Sequence, residues 1–293
     1  TNIAGNNTTT KTGYITVSGI GPVWKAKSEW NVPYINNWSA PYLADLDDDG
    51  DYDLMMGANN GLTYGYENTG TKTNPVWTTK TEWNVIDSSA VRSRPCLADL
   101  DGDGDYDLLI GVYMNVNAYE NTGTKNSPVW TRKSAWDISG VAGMSSINYA
   151  PCLADLDGDG DYDLLIGTYN GITCAYENTG TINNPVWTTK TKWDTPDIGV
   201  MASPCLADLD GDEDYDLLIG EKSGSYGYEN TGTINNPVWT KKSEWDAPIV
   251  GQYMRSCLAD LDSDVDYDLL IGTYNGITYG CENTAFSAVA KPD

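Results

Sequence analysis

The sequence predicts an all-β fold: a five-bladed β-propeller of four-stranded blades, with the ring closed by the N-terminal strand. Three observations carry this. The marker A-D-L-D recurs from Ala44, Ala98, Ala154, Ala207 and Ala259, at steps of 54, 56, 53 and 52 residues. A second marker, P-V-W, recurs from Pro22, Pro75, Pro128, Pro185 and Pro237. The two are out of phase at the ends: the first P-V-W precedes the first A-D-L-D, and the fifth unit ends at Glu282-Asn283 without a P-V-W of its own.

Each element follows from one unit. From Pro151 it reads PCLADL-DGDGD-YDLLIG-TYNG-ITCAYEN-TGTINN-PVWTTKTKW. Four apolar or aromatic stretches of strand length alternate with Gly, Asn and Asp clusters, which are turn chemistry. A repeat of about 50 residues with four strands is the pattern of a propeller blade. The pairs Trp24/Trp30, Trp77/Trp83, Trp130/Trp136, Trp187/Trp193 and Trp239/Trp245 are each six residues apart. An even spacing on a strand puts both on one face, so they are expected on one face of the outermost strand, packing between blades. The first P-V-W strand is expected to complete the fifth blade and remove the open edges. We divide the chain into an N-terminal extension at 1–20, which could serve as an assembly arm, a propeller at 21–284 and a tail at 285–293.

Composition narrows the functions. The 293 residues include no His, 11 Trp, 20 Tyr and one Phe, and the formal charge is −25. Without His there is no Ser-His-Asp triad, Cys-His dyad or histidine zinc ligand. The negative charge opposes nucleic acid and anionic membranes, and no apolar run is long enough to span a bilayer. The chain begins at Thr1, and we read it as a processed mature form.

Each unit also carries D-x-D-x-D-x-x-x-D between its first two strands. The acids are Asp45, Asp47, Asp49, Asp53; Asp99, Asp101, Asp103, Asp107; Asp155, Asp157, Asp159, Asp163; Asp208, Asp210, Asp212, Asp216; and Asp260, Asp262, Asp264, Asp268. Four carboxylates in nine residues repel one another unless a cation sits among them. Ca²⁺ accepts six to eight hard oxygens in flexible geometry, whereas Mg²⁺ demands a strict octahedron and soft metals prefer N or S. The other reading of one such loop is a solvated acidic turn; five in register favour metal. Five Ca²⁺ ions bring ten positive charges, moving −25 to −15. Gly50, Gly104 and Gly160 hold the sixth position of their loops, where Glu213 and Val265 stand in units four and five. Positive φ suits Gly and not β-branched Val, so those two loops are expected to bind calcium more weakly or to be distorted.

LADLDGDGDYDLLIG followed by NGITxAYENTGT resembles the FG-GAP/VCBS-type repeat, related to the calcium-loop blades of integrin α-subunit propellers. The resemblance covers about residues 21 to 284. It implies a β-propeller with calcium between the first two strands of each blade. It further implies a secreted or cell-surface protein in adhesion, recognition or an accessory role beside polysaccharide-active enzymes.

Cys96, Cys152, Cys205 and Cys257 hold one repeat position, where unit one has Tyr42; Cys174 and Cys281 lie in third strands. A small buried hydrophobe is the favoured reading. Zinc has no C-x-x-C or His to support it, and disulfide pairing is not legible.

Units differ most in the link to the next blade and in the turn between second and third strands. Both emerge on the face opposite the acidic loops, so recognition is expected there. Tyr34, Trp38, Arg92, Arg94, Tyr113, Tyr149, Glu221, Tyr253 and Arg255 lie in those segments. Aromatics with a few polar partners suit stacking on a sugar or another protein.

Three functions follow: a non-catalytic adhesion or structural subunit that associates with itself or a surface protein, a lectin, and a glycan-active enzyme. The enzyme ranks last, because the unrepeated acids Asp87, Asp137 and Glu221 form no readable pair. Asn6, Asn7 and Asn37 stand in N-x-[ST] sequons compatible with extracellular glycosylation.

Overall fold

A computed structural model describes residues 21–87, 91–139, 141, 149–181 and 183–285. The extension at 1–20, with Asn6 and Asn7, lies outside them, as does the tail beyond Ala285. The fold is an all-β ring of five blades, each built on four antiparallel strands, in sequence order from the axis outward in the first four; the short strands Val85–Ile86 and Ile138–Ser139 add to the third strands of blades one and two. In the first blade the four are Ala40–Ala44, Asp53–Gly57, Leu62–Asn68 and Trp77–Thr79. The inner strands of the other blades are Arg94–Ala98, Ala150–Ala154, Ser203–Ala207 and Arg255–Ala259.

The fifth blade takes its outer strand from the other end of the chain. Trp24–Ala26 pairs antiparallel with Thr278–Asn283, in the register Trp24 to Asn283 and Ala26 to Cys281. The phase offset of the two repeat markers thus closes the ring, as expected.

The core lies between blades. The second strands read D-L-L-I-G or its D-L-M-M-G variant, and Leu54–Met56, Leu108–Ile110, Leu164–Ile166, Leu217–Ile219 and Leu269–Ile271 are fully buried. A strand buried on both faces needs a continuous apolar run, because alternate side chains enter the contacts with the blades on either side. The glycine ending each run answers a close approach. A Cβ on Gly57, Gly111, Gly167, Gly220 or Gly272 would lie 2.1–2.3 Å from a backbone carbonyl oxygen just ahead of the neighbouring inner strand. A side chain there would push adjacent blades apart.

The tryptophan pairs depart from expectation. Only the first Trp of each pair lies on the outer strand. The second ends a one-turn 3-10 helix: Ser28–Trp30, Thr81–Trp83, Ser134–Trp136, Thr191–Trp193 and Ser243–Trp245. The chain leaves the strand after three residues, so strand parity no longer governs the second ring. That turn lays it flat into the core, and all five second tryptophans are buried at 0–4% exposure.

Cys96, Cys152 and Cys257 are buried, Cys205 is half-buried, and all six cysteines are free thiols. Burial pushes the Cys96 and Cys205 thiols up to about 12, so they remain neutral. Cys152, Cys205, Cys257 and Tyr42 line the axial cavity. The buried-hydrophobe reading fits all of this.

Candidate metal centres and the variable face

Each acidic loop joins an inner strand to the second strand of its blade, and five loops ring one end of the axis. The structure brings together the first, third and ninth residues of each. Asp45, Asp47 and Asp53 offer carboxylate oxygens within 4.8 Å of one another, and so do Asp99/Asp101/Asp107, Asp155/Asp157/Asp163, Asp208/Asp210/Asp216 and Asp260/Asp262/Asp268.

The three roles differ. The ninth residue is buried and held by two backbone donors. Leu46 N–H donates to Asp53 Oδ2 at 2.9 Å and Asn68 N–H to Oδ1 at 2.8 Å. The same pair of contacts meets Asp107, Asp163, Asp216 and Asp268. This carboxylate therefore ties the start of the loop to the end of the third strand, besides facing the cluster. Desolvation raises Asp53, Asp107 and Asp163 from an ordinary 3.8 to about 7 against those donors, and Asp216 and Asp268 to about 8.

The first residue shapes the turn. Asp45 Oδ2 accepts from Gly50 N–H at 3.1 Å, and Asp99, Asp155, Asp208 and Asp260 accept from their sixth residues at 3.0–3.2 Å. The fifth residue, expected as a ligand, lies outside the triad. Asp49, Asp103, Asp159, Asp212 and Asp264 each accept the backbone N–H two residues on, closing the turn.

The expected set omits the seventh residue: Asp51, Asp105, Asp161, Asp214 and Asp266. Desolvation, followed by the like charge of the other loop acids, raises Asp105 and Asp161 to about 6 and Asp214 to about 7. The signal was present in the unbroken alternation of acids at positions one, three, five, seven and nine.

These residues fit a hard divalent cation. Buried oxygens without a hydrogen-bond partner include Oδ1 of Asp45, Asp47, Asp51, Asp105, Asp157, Asp161, Asp210, Asp214 and Asp262. Buried polar atoms are normally satisfied, so orphaned carboxylate oxygens beside a converged triad are what a cation would complete. All donors are oxygen, which suits calcium over soft metals.

Units four and five keep the loop geometry. Glu213 and Val265 adopt φ of 76° and 85°, beside 90°, 94° and 95° at Gly50, Gly104 and Gly160. The consequence of losing glycine is backbone strain at an intact turn, not distortion.

The opposite end carries the variable connections, and here burial revises several expectations. Trp38 and Tyr149 are buried, at 6% and 1% exposure, so neither is an exposed stacking platform. Tyr34 is exposed, and Tyr253 and Arg92 are half-buried. Arg94 and Arg255, the first residues of two inner strands, are buried. Trp38 forms the centre of a cluster, 4.9 Å from both Tyr253 and Tyr274, with the Arg92 and Arg255 guanidinium groups 3.9 and 4.8 Å from its ring. Tyr113, Tyr169 and Tyr274 occupy one position after the second strands of three blades and are 48%, 39% and 45% exposed. The last two escaped the sequence reading, although aligning the turns on L-I-G would have found them.

The acids weighed for catalysis are engaged structurally. Asp137 takes a repeat position after all, equivalent to Asn31, Asn84, Asp194 and Asp246; each accepts a third-strand N–H. Asp87 accepts from Tyr119 Oη at 2.9 Å and Asn117 Nδ2 at 2.5 Å. Glu221 accepts from the Ser223 N–H at 2.6 Å and from the Ser223 hydroxyl. Asn37 is half-buried at φ 56°, and its sequon Ser39 is buried, donating to Ile277 O at 3.0 Å.

The family model of the FG-GAP-like repeat matches residues 99–166 and 155–219. The chain is a five-bladed β-propeller that carries FG-GAP-like repeats over residues 99–219. The matched stretch contains the second, third and fourth acidic loops. No curated protein matches the chain. Among solved structures it is similar to an Agrocybe aegerita lectin described for recognition of non-reducing terminal N-acetylglucosamine, at 17% identity and TM-score 0.42, over 93% of this chain and 75% of that one. It is similar to BBS1N in complex with ARL6DN at 12% identity and TM-score 0.43, over 91% and 99%. It is also similar to the Photorhabdus luminescens Tc holotoxin pore at 18% identity and TM-score 0.40, over 94% of this chain and 13% of that one. At these identities the likenesses say nothing of function. Among the described residues no helix is long and apolar enough to cross a membrane.

Proposed function

We propose that this FG-GAP propeller is a calcium-binding, non-catalytic extracellular module, acting as an adhesion or structural subunit whose partner is another surface protein, a glycan or a second copy of itself. One observation carries the calcium assignment: five carboxylate triads, each within 4.8 Å, most of them beside buried oxygens that lack a partner. The calcium face is nearly the same in every blade and gives rigidity; the individual face opposite it carries recognition. The −25 charge and the all-oxygen loops suit a compartment rich in free calcium, hence the secreted or surface assignment.

Calorimetric titration of chelator-stripped protein tests it. Three tighter sites and two weaker ones, those at Glu213 and Val265, are expected. Absence of calcium binding at millimolar concentration would overturn the proposal. Deletion of residues 1–20 with light scattering tests the assembly role of the extension.

A second reading, carbohydrate binding, is favoured by the exposed Tyr113, Tyr169 and Tyr274 at one position of three blades. Tyrosine offers a flat apolar body and a polar tip, suited to a sugar ring. A glycan screen comparing wild type with the Tyr113→Ala/Tyr169→Ala/Tyr274→Ala variant tests this reading.

A further inference from the structure

The chain has four arginines, Arg92, Arg94, Arg132 and Arg255. Arg132 is ion-paired with Asp137. The other three converge on the variable face without a carboxylate partner among the described residues. Arg94 and Arg255 begin the inner strands of blades two and five, where the other blades carry Ala40, Ala150 and Ser203. These five positions ring the mouth of the axial cavity, and the small ones leave room beside the two guanidinium groups.

Arg94 and Arg255 are each 3% exposed. Their contacts are to backbone carbonyls: Arg94 Nη1 donates to Ala202 O at 3.5 Å and Arg255 Nη1 to Ser39 O at 3.1 Å. Arg92 and Arg255 share the ring of Trp38. The Nε atoms of Arg92, Arg94 and Arg255 are all buried without a hydrogen-bond partner. Desolvation and mutual repulsion lower Arg94 to about 9, and push Arg255 well below its ordinary value.

A buried cation is tolerated when it is paired, and unpaired buried charge is among the most destabilising features a fold can carry. Two such groups, with the half-buried Arg92 beside them and no carboxylate paired to any of the three among the described residues, call for an anion from outside. The cavity of ≈ 40 Å³ lined by Arg94 and Arg255 exceeds the ~10–15 Å³ that one water needs. We propose that Arg92, Arg94 and Arg255 form an oxyanion-binding site at the mouth of the axial channel, taking a carboxylate or sulfate group. Guanidinium forks match the paired oxygens of such groups. Tyr274, 5.8 Å from Tyr253 and 45% exposed, stands at the rim where the remainder of a ligand would rest. The inference rests on recognition belonging to the variable face and is independent of the calcium loops.

Thermal unfolding in saturating calcium tests it, with sodium sulfate, acetate, glucuronate and chloride at matched ionic strength. Sulfate, acetate and glucuronate are expected to raise the wild-type Tm above chloride by about 3 °C at a tenfold excess over Kd. Sulfate also stabilises proteins generally by exclusion, so the Arg94→Gln/Arg255→Gln variant sets the baseline. In that variant the selective rise should vanish, and in Arg92→Gln, which changes a half-buried side chain, affinity should fall at least about threefold with the fold intact. Glucuronate above acetate identifies an acidic sugar as the source; equality identifies the free anion. Equal Tm in all four salts, or a selective rise that persists in both variants, overturns the proposal. Calcium titration of the same variants keeps the two assignments apart, since their calcium binding should be unchanged.

Discussion

The Trp24 indole N–H donates to the Trp245 backbone carbonyl at 3.0 Å, joining the N-terminal strand to blade four across 221 positions of sequence. The contact repeats at every blade boundary. Trp77 donates to Trp30, Trp130 to Trp83, Trp187 to Trp136 and Trp239 to Trp193, at 3.0–3.4 Å. The half-buried Trp of each blade thus caps the carbonyl of the buried Trp in the blade before it. Five equivalent bonds make a belt around the ring, and only the one from Trp24 joins the two ends of the chain.

Ring closure should therefore be the weakest point. Trp24→Phe removes one N–H donor and leaves a half-buried carbonyl unmet, a cost of about 1–2 kcal/mol. Trp130→Phe should cost a similar amount at equilibrium. In native-state proteolysis, however, Trp24→Phe should accelerate cleavage more, because the terminal strand frays first. Equal cleavage rates for the two variants would refute the ranking.

Calcium should support the fold substantially. Each site at a hundredfold excess over its Kd adds about 2.7 kcal/mol, or about 5 °C in a chain of this size. EGTA should lower Tm by at least that amount. An unchanged Tm in excess EGTA would remove the metal assignment.

The seventh and ninth acids should separate under mutation. Asp107→Asn replaces an acceptor of two backbone N–H groups, so calcium-free stability should fall by about 2–3 kcal/mol. Asp105→Asn relieves like-charge crowding, so calcium-free stability should hold or rise while calcium affinity drops. Urea unfolding in EGTA and calcium titration read the two effects. Identical behaviour of both variants would show that the roles are misassigned.

Stability should run in opposite directions with pH in the two metal states. The ninth acids have folded pKa values of about 7 to 8, above the ordinary 3.8. The folded calcium-free chain then binds more protons than the unfolded chain. Its stability is full below pH 3.8 as far as these groups are concerned, and is lost as pH rises through 7 to 8. Calcium needs the ionised form, so its stabilisation grows over the same range. Tm in EGTA should fall from pH 5 to pH 8, and the gain from calcium should widen. A calcium increment that narrows toward pH 8 would contradict this.

The sixth loop position should respond to glycine. Val265→Gly and Glu213→Gly remove a side chain from positive φ and should each add about 1 kcal/mol. Gly104→Ala should remove about as much, since a Cβ there meets nothing within 4 Å and the cost is conformational alone. Chemical denaturation in saturating calcium measures all three. The two glycine variants should also raise calcium affinity in their own loops.

The sequence by itself determined the blade number, the strand order and the closure of the fifth blade. All of these follow from local pattern: strand-length apolar runs, turn residues, and the offset between A-D-L-D and P-V-W. It also placed the acidic loops, because carboxylates concentrated within nine residues point to a cation wherever the chain goes. Tertiary structure decided the rest. The second Trp left the strand for a 3-10 turn, since its place is set by the neighbouring blade and not by strand parity. The ninth Asp gained a structural role because one of the donors that hold it lies at the start of the loop and the other at the end of the third strand. Trp38 and Tyr149 were withdrawn from the surface by loops whose packing no periodicity encodes. Arg92, Arg94 and Arg255 could be named from sequence as individuals. Their convergence without a carboxylate partner among the described residues is a property of the axis, where strands remote in sequence meet at the centre of the ring.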